Sequence, residues 1–215
     1  MSGEVERDVT DELGRLGAAT LGECGALRLP PKMRPAWPGA ALAAPAYPVG
    51  CTPGDNLAIH VAVTLAPTGS VLMVDVGDVP DRGYWGEVLT TAALARGISG
   101  LVIDGGVRDV AALERLGFPV FSNRVALRGA TKSARGTAGA AVTVAGVPVE
   151  SGDWVVGDVD GVVVVPGTDL EQVLTAGRAR TAVEARYFDA LREGSTTVEL
   201  LGLDASLIEI IEHPS

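Results

Sequence analysis

Only two cysteines, Cys24 and Cys51, occur in the chain, and neither sits in a Cys-x-x-Cys or Cys/His cluster. That excludes a disulfide-stapled scaffold and a zinc site of the usual spacing, and it suits a reducing compartment. Aromatic residues supply just 4% of the sequence, so Ala, Val and Leu must build the core. Histidine is nearly absent, with His60 and His213 alone. Positive charge is scarce: 17 Lys and Arg against 27 Asp and Glu leave a net charge of -10, which opposes generic attraction to nucleic acid or anionic membrane. Any anionic ligand must then meet a local cationic pocket. No apolar run reaches the roughly 18 residues that a bilayer span needs. The acidic start "MSGEVERDVTDELGRL" lacks the basic and then apolar regions of a secretory signal. A soluble, cytoplasmic protein is the expectation. Neither a Walker phosphate loop nor a G-x-G-x-x-G fingerprint is present.

What the chain does have is 47% hydrophobic residues over 215 positions, ample for a packed core and consistent with one large domain. Residues 1–28 read as an N-terminal segment of one or two short helices, 29–203 as the body and 204–215 as a tail. "LPPKMRPAWPG" is a proline-rich connector. "ALAAPAYPVGC" predicts a short strand interrupted by prolines, and "TPGDNLAIHVAVTLA" a helix running to Leu65. The buried strand "SVLMVDV" then opens a repeated rhythm. "WGEVLTTAALARG" reads as a helix closed by Gly97, "GLVIDGG" as a strand, "RDVAALERLG" as a helix closed by Gly117, and "FPVFSNR" as a strand. Strands alternating with helices argue for a parallel α/β layer. Beyond residue 125 the pattern changes to hairpins, including an Asp-Gly turn in "GDVDG", and then to a long helix over Leu170 to Glu193 stopped by Gly194.

Chemistry concentrates in residues 86–122. The first turn of a helix leaves N–H groups without intrahelical partners at the positive end of its dipole, which suits a carboxylate or phosphate. Gly86 allows close approach there. "VIDGGVRD" is the carboxyl end of a strand, where ligands of open α/β sheets gather. Arg108 can grip a carboxylate, and Asp109 can hold a hard divalent cation. The same residues also admit a plain reading, with Asp109 as a helix N-cap, Arg108 as a surface ion-pair partner and Glu87 as a dipole-favoured acid. His60 reads as a packed or interface histidine. The basic stretch "RVALRGATKSAR" reads as a solvated loop or a second anion site.

Taken in order, "PGDNLAIHVAVTLAPTGSVLMVD", "GEVLTTAALARGISGLVIDGGVRD…FPVFS" and "GDVDGVVVVP" resemble the 4-hydroxy-4-methyl-2-oxoglutarate / 4-carboxy-4-hydroxy-2-oxoadipate aldolases. That family is grouped with the regulator of ribonuclease activity A proteins, and the likeness covers about residues 15 to 203. It implies a swivelling β/β/α fold, like that of phosphohistidine domains, assembled into homotrimers or homohexamers. By resemblance, the amides of Gly86, Glu87, Val88 and Leu89 bind a pyruvyl carboxylate, and Arg108 holds the keto or enolate oxygen. Asp109 coordinates Mg²⁺ or Mn²⁺. Glu87, with Glu184 from an adjacent subunit, orients the water that serves as general base, since no histidine lies near the motif. The implied activity is metal-dependent retro-aldol release of pyruvate, with oxaloacetate decarboxylation on the side. Two alternatives stay open: a lyase or decarboxylase of another 2-oxo acid at the same site, and a non-catalytic ribonuclease regulator. Regulators tend to carry Asn where Asp109 stands. Ala112 departs from the family, which often has an acid there.

Overall fold

The structure is a computed structural model that describes residues 3–209 and 211. It divides into two compact units, Met1–Gly177 and Arg178–Ser215.

The first unit opens with helix α1 (Gly3–Glu23) and the short strands β1 (Leu27–Arg28) and β2 (Arg34–Pro35). The N-terminal segment is thus one helix with a break: Gly17, at φ 75° and ψ 163°, leaves the helical region. That conformation is open in practice only to glycine. The freed N–H of Ala18 donates to Asp158 Oδ2 at 2.8 Å. Strand β3 (Leu42–Cys51) is followed by α2 (Leu57–Leu65), β4 (Val71–Asp75), β5 (Gly83–Trp85), α3 (Glu87–Ala95) and β6 (Gly100–Val107). Then come α4 (Val110–Arg115), β7 (Val120–Val125), β8 (Gly136–Ala138) and the hairpin β9 (Val142–Val144) and β10 (Val147–Val149). A second hairpin, β11 (Trp154–Asp158) and β12 (Gly161–Val165), turns at the expected Asp-Gly position.

The main sheet runs β1-β12-β11-β3-β4-β6-β7-β2, with β5 paired to β6 and β8 to β3. Strands β3, β4, β6 and β7 are parallel, as the alternation of strands and helices requires. Contrary to the sequence reading, Pro45 and Pro48 do not interrupt β3. On one edge β11 pairs only with Leu42–Pro45 and β8 only with Val49–Cys51, so Pro48 falls between them, where a missing N–H costs no ladder bond.

Small aliphatic residues fill both faces of this sheet. Ile59, Ala62, Leu89, Ala93 and Leu113 from the three helices pack on Leu72, Val74, Leu101 and Ile103. On the opposite face Val144, Val147 and Val149 cover Val71, Met73 and Val102. Leu13 and Leu21 of α1 close a third cluster around Trp154, Val163 and Val165. Helix α5 (Leu170–Arg192) contributes Val173 and Leu174 to it. Gly97, Gly117 and Gly194, all at positive φ, follow the three helices they were expected to close.

The second unit holds the remainder of α5, α6 (Thr197–Leu201) and a 3₁₀ turn at Ala205–Leu207. Thr196 and Glu199 form a capping box at the start of α6. No helix among the described residues is long and apolar enough to cross a membrane.

Candidate active site

The site forms where β5 runs beside the carboxyl end of β6. The Arg108 N–H donates to the Trp85 carbonyl at 2.9 Å, which sets Arg108 and Asp109 directly against Gly86. Trp85 is itself anchored, its ring stacked on Phe118 at 5.7 Å and its Nε1 donating to Thr90 Oγ1 at 2.6 Å. Gly86 leaves room for both side chains, since a Cβ there would press on Asp109 Oδ2 and lie 3.0 Å from Arg108 Cγ, so that one or both would have to shift.

Asp109 occupies the N-cap position of α4, as the plain reading has it, but its side chain makes no cap there. The residue adopts the left-handed conformation at φ 56° and ψ 35°. That is an uncommon state for a residue with a side chain, best tolerated by Asp and Asn. Its carboxylate turns instead toward α3: Oδ2 accepts from the Glu87 N–H at 3.1 Å and lies 3.7 Å from Arg108 Nε. Of the first-turn amides of α3, that of Glu87 is thus engaged by the protein's own carboxylate. Val88 and Leu89 line the pocket. The Glu87 carboxylate points elsewhere, pairing with Arg115 at 2.9 Å.

The pocket encloses about 190 Å³, the scale of a small acid rather than a nucleotide. The lining also includes Asn56, which the sequence reading did not single out, and His60 and Lys132, which it set aside. Asn56 and His60 stand one turn apart at the start of α2, and Lys132 enters from the basic loop. His60, read as packed or interfacial, shares the pocket with Arg108 and Asp109, so a histidine does lie near the motif. Burial first, then the Lys132 ammonium, push the His60 imidazole below its ordinary range, against the opposing pull of Asp55.

Asp55 holds the basic loop in place. Only 3% exposed, it accepts from Ser133 N–H at 2.7 Å, Ala134 N–H at 3.1 Å, Thr131 Oγ1 at 2.7 Å and, through Oδ1, Leu57 N–H at 2.8 Å. Burial alone would raise this carboxyl, but those four donors outweigh it and hold it down at about 2. Elsewhere on the loop, Arg124 pairs with Asp81 and the Arg128 carbonyl accepts from Gly83 N–H at 2.8 Å. Gly129, Ala130 and Lys132 of this loop line the pocket.

Glu184 belongs to the second unit, where it pairs with Arg180 at 2.8 Å across one helical turn. His213 lies outside the described residues.

Among the described residues no group of three or more His, Cys, Asp or Glu side chains could cage a metal. Asp109 nevertheless fits a hard divalent cation of the magnesium type. Such ions are commonly held by one or two carboxylates and complete their shell with water and substrate oxygens.

Comparison with known proteins converges on one family. The model described as RraA-like, Aldolase/RraA, matches residues 7–164. The chain is 33% identical over 171 residues to the protein of Halalkalibacterium halodurans named "Putative 4-hydroxy-4-methyl-2-oxoglutarate aldolase", covering 80% of this chain and 79% of that one. The crystal structure of an uncharacterized protein from Pseudomonas syringae superposes with a TM-score of 0.79 at 29% identity, over 90% of this chain and 92% of the other. The fold is also that of the RNA-processing inhibitor RraA from Thermus thermophilis, with a TM-score of 0.59 at 24% identity over 66% and 85% of the two chains. By its sequence match and by its mixed α/β fold, the chain belongs to the RraA-like family, the Aldolase/RraA group.

Proposed function

We propose that the protein cleaves a 4-hydroxy-2-oxo acid, of the 4-hydroxy-4-methyl-2-oxoglutarate or 4-carboxy-4-hydroxy-2-oxoadipate type, by a divalent-metal-dependent retro-aldol reaction that releases pyruvate. The carrying observation is the convergence of the α3 N-terminus, Arg108 and Asp109 on one small pocket.

In this reading the substrate carboxylate takes the first-turn amides of α3, and the Arg108 guanidinium faces the 2-keto oxygen. The C3–C4 bond breaks with its electron pair moving to the pyruvyl fragment, so negative charge grows on that oxygen beside a fixed cation. Asp109 would hold Mg²⁺ or Mn²⁺, which when bound supplies Lewis-acid polarisation of the keto group. The C4 hydroxyl loses its proton and becomes a carbonyl, and C3 of the enolate is then protonated to give pyruvate. Glu87, and Glu184 contributed by a second copy of the chain, are assigned to position the water that takes the hydroxyl proton. For Glu87 this requires release from Arg115. The row Leu57, Val61 and Leu65 on α2, exposed at 37%, 41% and 62%, supports assembly into a homotrimer or homohexamer. Oxaloacetate decarboxylation would follow from the same enolate chemistry.

The test is pyruvate release from both hydroxy acids with and without EDTA, for wild type, Arg108→Ala and Asp109→Asn. Loss of at least about a hundredfold in kcat/KM for each variant is expected. No EDTA-sensitive turnover of either acid, or of oxaloacetate, overturns the assignment.

A further inference from the structure

Among the described residues from Arg178 to Ile211 none is buried, although Phe188, Val198, Leu201, Leu203, Leu207 and Ile208 are large and apolar. Leu207 is 80% exposed. The end of this segment is nonetheless built into definite turns. Helix α6 opens on the Thr196 and Glu199 capping box and closes on Gly202 at φ 61°, and Asp204 Oδ1 accepts from the Ser206 N–H at 3.0 Å to start the 3₁₀ turn. Turns that are already formed lower the ordering cost of docking. A run of exposed apolar side chains marks an interaction surface. Its charge has one sign, since residues 193–215 hold five acids and neither Lys nor Arg.

The complementary surface lies on the first unit. Residues 116–149 contain no Asp or Glu, and within them the loop 124–135 carries Arg124, Arg128, Lys132 and Arg135. Arg124 is taken by Asp81, but Arg128 and Arg135 are exposed and their side chains form no ion pair among the described residues. Beside them Leu127 is 85% exposed, and Val125 is exposed as well. A loop that is cationic and apolar matches an arm that is anionic and apolar. A net charge of -10 holds copies of the chain apart in general, so copies are drawn together where a basic patch of one meets an acidic patch of the other. We propose that the C-terminal arm, residues 193–209, docks on the basic loop, residues 124–135, of a second copy of this chain. Leu201, Leu207 and Ile208 cover Val125 and Leu127, and the acids of the arm face Arg128 and Arg135. Each copy offers a loop and gives an arm, so the contact runs head to tail and repeats until a ring closes. Gly129, Ala130 and Lys132 of that loop line the pocket, so the docked arm braces the site from a neighbouring copy. This goes beyond the lyase reading and does not depend on it.

Sedimentation velocity of the full chain between about 1 and 100 μM tests the pairing. Wild type should associate, and more weakly at high salt. Arg128→Glu with Arg135→Glu should raise the dissociation constant at least about tenfold, and so should Glu193→Lys with Glu209→Lys. All four side chains are exposed, and none of them takes part in a cap or in the bonds that anchor the loop. Joining the four reversals in one chain should restore association to within about threefold of wild type, a rescue that damage to either surface alone would not give. A wild type that stays monomeric overturns the inference. So does association unchanged within about twofold by both reversals, because the α2 face or another surface then carries it. A fourfold variant that associates no better than the two double variants overturns it as well. If the loop variant fails to fold, the arm variant decides alone, since its substitutions lie where nothing is buried. Pyruvate release is not among these readouts, so failure here leaves the lyase reading untouched.

Discussion

Replacing Asp55 by alanine should release the wall of the pocket that carries Lys132. The carboxylate accepts four hydrogen bonds, three of them from residues 131–134. A hydrogen bond to a charged group contributes about 1.5–3 kcal/mol net, but the N–H groups of Ser133 and Ala134 can recover water once the loop swings out. The expected loss is therefore about 3–5 kcal/mol, the range for breaking a buried charged network. Urea unfolding at pH 7 measures it. Trypsin reports it independently through faster cleavage after Lys132 and Arg135. Asp55→Asn should be nearly as costly, since its amide turns two donors toward N–H groups that are donors themselves. The pH dependence has a definite sign. The folded carboxyl titrates at about 2 instead of the ordinary 3.8, so its contribution is complete above the unfolded value and is lost as pH falls toward 2. The stability gap between wild type and Asp55→Asn should stay level above about pH 5 and narrow between 4 and 2. An Asp55→Ala protein within about 1 kcal/mol of wild type, with unchanged tryptic cleavage, refutes the reasoning.

Gly86→Ala forces a methyl group onto Asp109 Oδ2 and Arg108 Cγ, so turnover should fall by about a hundredfold or more while far-ultraviolet circular dichroism stays unchanged; wild-type activity would show that the contact yields freely. Gly17→Ala places a side chain at φ 75° and 3.2 Å from Asp158 Oδ2 and should cost about 1–3 kcal/mol in thermal or urea unfolding, a neutral result being incompatible with the break in α1. Burial, then the negative charges of Asp75 and Asp55, push the Cys51 thiol up to about 12. In a Cys24→Ser background at pH 8, Cys51 should therefore react with a disulfide reagent at least about a hundredfold more slowly than an exposed thiol, and rapid labelling would contradict its burial.

The half of the candidate site built from Gly86, Arg108 and Asp109 was legible in the chain because local signals coincide there. Gly86 precedes a helix, and Gly105 and Gly106 lie at the end of a strand just before Arg108 and Asp109, so both stretches announce themselves in the sequence, and the pairing of β5 with β6 brings them together. The other half was not. Asn56, His60 and Lys132 meet the motif only through contacts distant in sequence, among them the Asn56 Nδ2 bond to the Tyr84 carbonyl and the Asp55 bonds to residues 131–134. Similarly, the prolines of β3 look disruptive until its two partners on one edge are seen to leave a gap at Pro48. The break at Gly17 was hidden for the converse reason. Glycine in a small-residue stretch is unremarkable until Asp158, far along the chain, is found waiting for the freed N–H of Ala18.

With its carboxylate on the Glu87 N–H, Asp109 already occupies the first amide of α3. An arriving carboxylate meets a terminus that already has an anion, so filling the site is an exchange rather than a simple capture. Phosphate or chloride gains little from that trade. On the proposed reading, a cation arriving together with an oxo acid would change the balance, because it would draw the Asp109 side chain to itself and free the α3 amide in the same movement. Acid and cation would then strengthen each other's binding by one shared coupling free energy, and neither would hold the pocket well alone.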